Sequence, residues 1–231
     1  MIVKNIISNF IALFYPNLCD ACGETLVSKE KVLCLNCRYA LPKTNYWNEQ
    51  DNLMEQAFWG RVGIEKACSY FFFNKGSNFQ KLLHNLKYNG REDIGIYLGK
   101  LFGSELVKCG WCNAVDLIVP VPLHAKKQRK RGYNQSECIA KGMSESIKLA
   151  VVVNNLVKIS STESQTQKGR MERWENVSEV FNVYNPAEFE NKHILLIDDT
   201  MTTGATIEAC AQALLNSCNC TISVATLAYV R

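Results

Sequence analysis

The sequence predicts an α/β protein built on a parallel sheet, with a small cysteine-rich module ahead of it. Three observations carry this. Apolar strand-like runs alternate with stretches of helical periodicity over most of the chain. The run Ile194-Leu195-Leu196-Ile197 is short and unbroken, the pattern of a strand buried on both faces. Near the N-terminus, Cys19/Cys22 and Cys34/Cys37 form two C-x2-C pairs with eleven residues between the inner cysteines.

A chain of 231 residues holds one α/β domain of ordinary size and a small appendage. A composition of 47% hydrophobic and 21% charged residues excludes disordered and fibrous classes. The net charge of +4 and pI near 8.4 are a mild bias that says little about nucleic acid. Much of the bias can reside in one run, Lys126-Lys127-Gln128-Arg129-Lys130-Arg131. No apolar run reaches the ~18 residues of a spanning helix. The N-terminal stretch lacks a basic region and a cleavage site, so an export signal is not expected and the chain reads as cytoplasmic. Its apolar positions (Ile2, Val3, Ile6, Ile7, Phe10, Leu13, Phe14) fall at helical spacing. That suits a core-packed or a membrane-surface helix, and the scarcity of basic residues favours packing.

Eleven cysteines without an export signal point to metal more than to disulfides. Each C-x2-C places two thiolates on one turn, and two turns supply the four tetrahedral ligands of a structural zinc. Cys19, Cys22, Cys34 and Cys37 are those ligands, and four sulfurs leave no open position for catalysis. The lone Cys109/Cys112 pair reads as packing at a helix end, with a redox pair as the alternative. Residues 1–50 are therefore expected to form the helix and four-cysteine zinc module, and 51–231 the α/β domain.

Taken in order, Tyr39 to Gly60 is a polar and aromatic linker able to dock on the next domain. Ala67 to Phe73 is a strand. Ser77 fits an N-cap for a helix with Leu82, Leu83 and Leu86 that ends near Asn89-Gly90, and a second helix spans Ile94 to Val107. Val115 to Val119 is a strand stopped by Pro120-Val121-Pro122. The basic run follows, then a helix over Gln135 to Ile147 and a strand over Val151 to Val157. Ser160 to Ser178 is a long polar stretch without core pattern, a loop that is either functional or mobile. Phe181 to Tyr184, Ile194 to Ile197 and Thr221 to Val230 complete the strands.

The chemistry concentrates after Ile197. Asp198 and Asp199 stand at the carboxyl end of a buried strand, where open α/β sheets bind ligands. Ionised carboxylates only accept hydrogen bonds, which matches the two donors of a ribose diol. Thr202, Thr203, Gly204, Ala205 and Thr206 then form a small hydroxyl-rich turn leading into a helix on Ile207, Cys210, Ala211, Leu214 and Leu215. A helix N-terminus behind such a turn is built to hold phosphate. The basic run follows a sheet strand, so it either faces the same crevice, where it could hold pyrophosphate or nucleic acid, or is a solvated face.

The string from Ile194 to Thr206 resembles the phosphoribosyl pyrophosphate (PRPP) motif of type I phosphoribosyltransferases. The resemblance implies that Asp198 and Asp199 bind the ribose hydroxyls and residues 202–206 bind the 5′-phosphate. Nearly the whole chain further resembles the ComF family, in which a four-cysteine zinc module is fused to a phosphoribosyltransferase domain associated with DNA uptake in natural transformation. The likeness lies in Pro16 and Cys19, Leu86-Lys87-Tyr88, Pro120 to Leu123, Arg129 to Gln135, and Thr162, Gln165, Glu172, Arg173, Asn176 and Phe181. It implies a type I phosphoribosyltransferase fold with a hood around Leu53 to Leu106. Pyrophosphate is expected at Val121, Pro122, Leu123 and Lys126. A loop over Thr162 to Asn176 would close on PRPP and bring Arg173 to the catalytic acids Asp198 and Asp199. Lys168 and Glu179-Val180 depart from the family pattern in that loop.

Two functions follow. One is transfer of the phosphoribosyl group with release of pyrophosphate, assisted by Mg²⁺. The other is a PRPP- or nucleotide-sensing module that binds single-stranded DNA through Arg129, Lys130 and Arg131. PRPP, single-stranded DNA and DNA-uptake proteins are the expected partners, with peripheral association with the uptake machinery. No motif names an acceptor base.

Overall fold

The computed structural model describes residues 16–27, 29–159 and 180–230. The apolar positions expected in an N-terminal helix, and the loop Thr162 to Asn176 with Arg173, lie outside the described residues. In chain order the elements are α1 (Leu35–Tyr39), a 3-10 turn (Tyr46–Asn48), α2 (Leu53–Gln56), β1 (Lys66–Phe73), α3 (Gln80–Tyr88) and α4 (Glu92–Lys108). Then follow β2 (Leu117–Pro120), α5 (Ala125–Arg131), α6 (Gln135–Ile147), β3 (Ala150–Val151), β4 (Leu156–Ile159) and β5 (Val180–Val183). A 3-10 turn (Pro186–Glu188), β6 (His193–Met201), α7 (Ala205–Ser217) and β7 (Thr221–Val230) complete them.

Five strands form one parallel sheet in the order β1-β7-β6-β2-β3. Central β6 is buried from Ile194 to Ile197, as its unbroken apolar run requires. From β2 the chain moves outward to β3, and from β6 it moves the other way to β7. The order therefore reverses between β2 and β6, and a crevice opens at their carboxyl ends. Pro120 closes β2, and pairing continues past it because the Val121 amide donates to the Ile197 carbonyl at 2.8 Å.

Several expectations change in detail. The strand expected over Val151 to Val157 is two pieces: β3 joins the parallel sheet, whereas β4 pairs antiparallel with β5. Asn154 between them has φ 65°, and the buried Asn155 side chain bonds the backbone of Asn185 on both sides, so the chain turns here. Ser77 is not the N-cap of α3; Phe79 holds that position, and the Ser77 carbonyl instead accepts from the Gln80 amide at 3.0 Å. The basic run, which the sequence leaves without an assigned structure, is a helix capped by the His124 side chain and stopped at Gly132, where φ is 90°.

The linker docks. The Thr44 amide donates to the Tyr70 carbonyl at 3.2 Å and the Phe72 amide to the Pro42 carbonyl at 2.9 Å, which lays the linker along β1. Tyr46, Trp47, Met54 and Phe58 are buried. Asn52, itself buried, caps α2 and donates to the Ala67 carbonyl at 3.0 Å. Of the stretch expected to be a hood, β1 is a sheet strand and α4 lies along α6. Gly95, Gly99 and Gly103 recur every four residues on α4 and let the helices approach closely. A Cβ at Gly95 would stand 2.8 Å from that of Cys138, and one at Gly103 would stand 3.0 Å from the Met143 carbonyl oxygen.

Candidate functional site

The two acids sit where the sheet order reverses. β6 extends through them to Met201 and pairs Asp198 with Thr226 of β7, so their backbone is fixed by the sheet. Asp198 Oδ1 accepts from the Ser136 hydroxyl at 3.0 Å and from the Asp199 amide at 2.8 Å. Burial, then the neighbouring Asp199 charge, push the Asp198 carboxyl up to about 7, against these donors and Lys87. Asp199 instead pairs with the Lys87 ammonium at 2.9 Å, and the same nitrogen donates to the Thr200 hydroxyl at 3.2 Å. The two acids thus differ: one holds its proton near neutrality, and the other is ion-paired.

The phosphate-type turn follows directly. Gly204 has φ 78°, and a Cβ there would stand 3.0 Å from Phe58 and Met201, so only glycine fits both the angle and the space. It caps α7 without a side-chain hydrogen bond. Thr202 and Thr203 are exposed at the turn, and Thr203 Oγ1 lies 3.4 Å from the Ala205 amide. Glu208 in the first turn of α7 would repel an anion. Arg61 is ion-paired with Glu208 and also donates to the Thr203 carbonyl at 3.0 Å.

Beside the acids, the Val121-Pro122-Leu123 turn leaves β2. Asn134 holds it by donating to the Val121 carbonyl at 3.0 Å, while its Oδ1 caps α6. The pyrophosphate candidates Val121, Pro122 and Leu123 are thereby brought to the same sheet edge as Asp198 and Asp199. Lys126 lies one turn further on, exposed on α5, with Lys127, Arg129 and Lys130; Gln128 between them is partly withdrawn. Arg131 departs from the expected outward set: it is half-buried, bonded to Gln135, and its guanidinium lies 5.4 Å from the Tyr88 ring centre.

The four cysteines meet at one point. Their sulfurs all lie within 4.8 Å of one another, and Cys22 and Cys34 are 3.7 Å apart. A tetrahedral Zn–S shell of about 2.3 Å requires sulfur separations of about 3.8 Å, so the cluster fits a zinc ion. The Cys34 amide donates to Cys19 Sγ at 3.3 Å and the Cys37 amide to Cys34 Sγ at 3.4 Å. Burial raises the Cys19 thiol, but the amides of Cys22, Cys34 and Ala21 outweigh it and bring it down to about 7. Burial and the other sulfurs push Cys37 well up, the cost of crowding thiols without a cation.

The sequence alone assigns no role to Ser136 or Arg61, and Lys87 and Asn134 stand there only in family strings. The signal for Asn134 and Ser136 is a polar cluster opening an apolar helix. Lys87 and Arg61 carry no local signal, since their partners stand more than a hundred positions away.

The chain matches the phosphoribosyl transferase domain family over residues 134–231. A relative named DNA utilization protein YhgH from Salmonella typhi is 27% identical over 62% of this chain and 63% of the relative, under two thirds of that protein's length. The protein of that name from Escherichia coli K12 is 25% identical over 90% of this chain and 88% of its own. Competence protein ComFC of Bacillus subtilis is 31% identical over 59% of this chain and 53% of its own. The parallel sheet, the site at its order reversal and the domain match define a phosphoribosyltransferase fold with a four-cysteine cluster at the N-terminus, consistent with a zinc module. The domain match and these relatives together support a ComF-like family for the chain.

Among the described residues no helix is long and apolar enough to cross a membrane.

Proposed function

We propose that the site binds PRPP and transfers its phosphoribosyl group to a nucleophile, in a protein that serves competence and DNA uptake. The observation that carries this reading is the meeting of three parts at one sheet edge: the acid pair, the turn at Gly204 and the turn at Val121. Asp198 and Asp199 accept from the ribose hydroxyls, and Thr202 to Thr206 surround the 5′-phosphate with hydroxyls and amides. Val121 to Leu123 and Lys126 receive pyrophosphate. In the transfer, the bond from the anomeric carbon to pyrophosphate breaks, a bond to the acceptor forms, and pyrophosphate leaves. The chain's part is to hold these groups in line and to balance charge as it builds on the leaving group.

Mg²⁺ suits this donor set, because hard carboxylate and phosphate oxygens are its preferred ligands. Two carboxylates do not make a cage, so the ion would arrive with the phosphates of PRPP and neutralise the departing pyrophosphate. Structural Zn²⁺ would sit on Cys19, Cys22, Cys34 and Cys37. A cytoplasmic location keeps those thiolates reduced. Incubation with PRPP, Mg²⁺ and a panel of bases tests the enzyme: pyrophosphate release with one base is expected, and release with none refutes catalysis.

A second reading rests on α5. Lys126, Lys127, Arg129 and Lys130 expose four cations within two turns, a surface suited to single-stranded DNA phosphates. Binding should weaken steeply with salt. Reversing Arg129 and Lys130 should flatten the slope by roughly one unit per lost contact and spare PRPP affinity. Arg131, already folded on Tyr88, should contribute less. No binding at low salt would remove this reading.

A further inference from the structure

Among the described residues, Lys87 is the one outside the acid pair and the two turns that forms an ion pair with a diol acid. Its ammonium lies 2.9 Å from Asp199 Oδ1 and 3.2 Å from the Thr200 hydroxyl. Both members are withdrawn from water, with side chains 25% and 13% exposed, so the pair is less screened than a surface ion pair. The charge is also felt by Asp198. The Asp199 carboxylate, with Asp198 beside it, would confront a ligand carrying several phosphate charges, and like charges at this range repel. One ammonium beside them reduces that repulsion and fixes the Asp199 carboxylate in one orientation.

The helix carrying Lys87 is held at both sides. The Tyr133 hydroxyl donates to the Leu86 carbonyl, tying α3 to the turn before α6. On the other side, Asn85 Nδ2 donates to Asp20 Oδ1 at 3.2 Å. Asp20 stands between Cys19 and Cys22 and receives two parallel bonds from Arg91, at 2.7 and 2.8 Å, although its side chain is only 5% exposed. A two-point Arg–carboxylate bridge of this kind sets orientation as well as energy. The cysteine cluster therefore braces the segment from which Lys87 reaches the site.

We propose that Lys87 is a positioning residue of the diol site, orienting Asp199 and offsetting its negative charge, and that the Asp20–Arg91 bridge to the cysteine cluster holds Lys87 in place. This rests on the PRPP reading above. It differs from the roles of the turns because Lys87 acts through Asp199.

Calorimetry with PRPP and Mg²⁺ on the full chain tests it, with thermal unfolding and zinc content measured in parallel. Lys87→Gln should weaken PRPP binding about tenfold or more, as expected for the loss of a charge-assisted contact. It should keep a single cooperative unfolding transition and leave the zinc content unchanged, since Lys87 does not touch the cysteine cluster. Lys87→Arg should restore most of the affinity, which a purely structural role would not demand. Arg91→Met should weaken PRPP severalfold while zinc stays bound. Equal affinity of wild type and Lys87→Gln, or tighter binding by the variant, overturns the role of Lys87. Unchanged affinity in Arg91→Met overturns the brace. A wild-type chain that binds no PRPP overturns the ligand reading itself, and this inference with it.

Discussion

The two neighbouring aspartates are chemically unequal, and the inequality has measurable consequences. Asp198 is raised by burial and by Asp199 to about 7. Its folded-state value lies above its unfolded one, so the folded chain holds the extra proton between about pH 4 and pH 7. Stability from this group is therefore fully present below that window and lost as pH rises through about 7. Asp198→Asn keeps the acceptor for Ser136 and removes the titration. Urea unfolding of the free protein should find the variant equal to wild type near pH 4 and more stable at pH 8, by up to about 4 kcal/mol. A wild-type stability that does not fall over this window would show the carboxyl to be ordinary. Asp199→Asn has a different consequence. It removes an ionised acceptor for a ribose hydroxyl, so PRPP affinity measured by calorimetry should fall about tenfold to a hundredfold. Unchanged affinity in both variants would mean that the turn at Gly204 serves another ligand.

At the scale of elements, the contact between α4 and α6 positions Ser136, because α6 begins at Gln135 beside Asp198. Three glycines on α4 permit that contact, against the local preference of a helix. Glycine costs about 1 kcal/mol relative to alanine in a helix interior, so Gly99→Ala would stabilise an isolated helix. Here the added carbon meets the Ile139 backbone, and overpacking of this kind costs roughly 1–3 kcal/mol. The expected net effect is a lower melting temperature and weaker PRPP binding, both read on one preparation. A rise in melting temperature would show that α4 and α6 are not in close contact. Gly204→Ala belongs to the same scale. Its positive φ and its closeness to Phe58 should make it destabilising and damaging to the phosphate turn together.

For the whole molecule, the N-terminal cysteines and the sheet share one continuous core, from Cys19 through Ala228. Metal analysis should find about one zinc per chain, and Cys22→Ser should lose it, since a module this small cannot hold itself without a staple. Chelation should lower the unfolding temperature of the whole chain and not of a separate fragment, because Asp20 and Arg91 join the cluster to the helices of the sheet domain. Finding no metal, and two disulfides in its place, would sink both the zinc assignment and the cytoplasmic one.

What the sequence determined by itself are features whose physical cause is local. The unbroken run Ile194 to Ile197 carries the pattern of a strand covered on both faces, and Thr202-Thr203-Gly204 that of a turn into a helix. The cysteine spacing likewise makes two tight turns, each with two sulfurs on one side. The split of Val151 to Val157 is also written locally, in Asn154-Asn155, but the apolar residues on both sides mask the turn between them. Tertiary structure decided the rest. Whether the basic run is helix or loop, which of its cations stay in water, and which lysine faces Asp199 depend on partners far along the chain. Lys87 and Asp199 are joined only when β6 takes the centre of the sheet and α3 is pinned between Tyr133 and the cysteine cluster. The raised carboxyl of Asp198 has the same origin, because desolvation is a property of the packed core and not of any stretch of sequence.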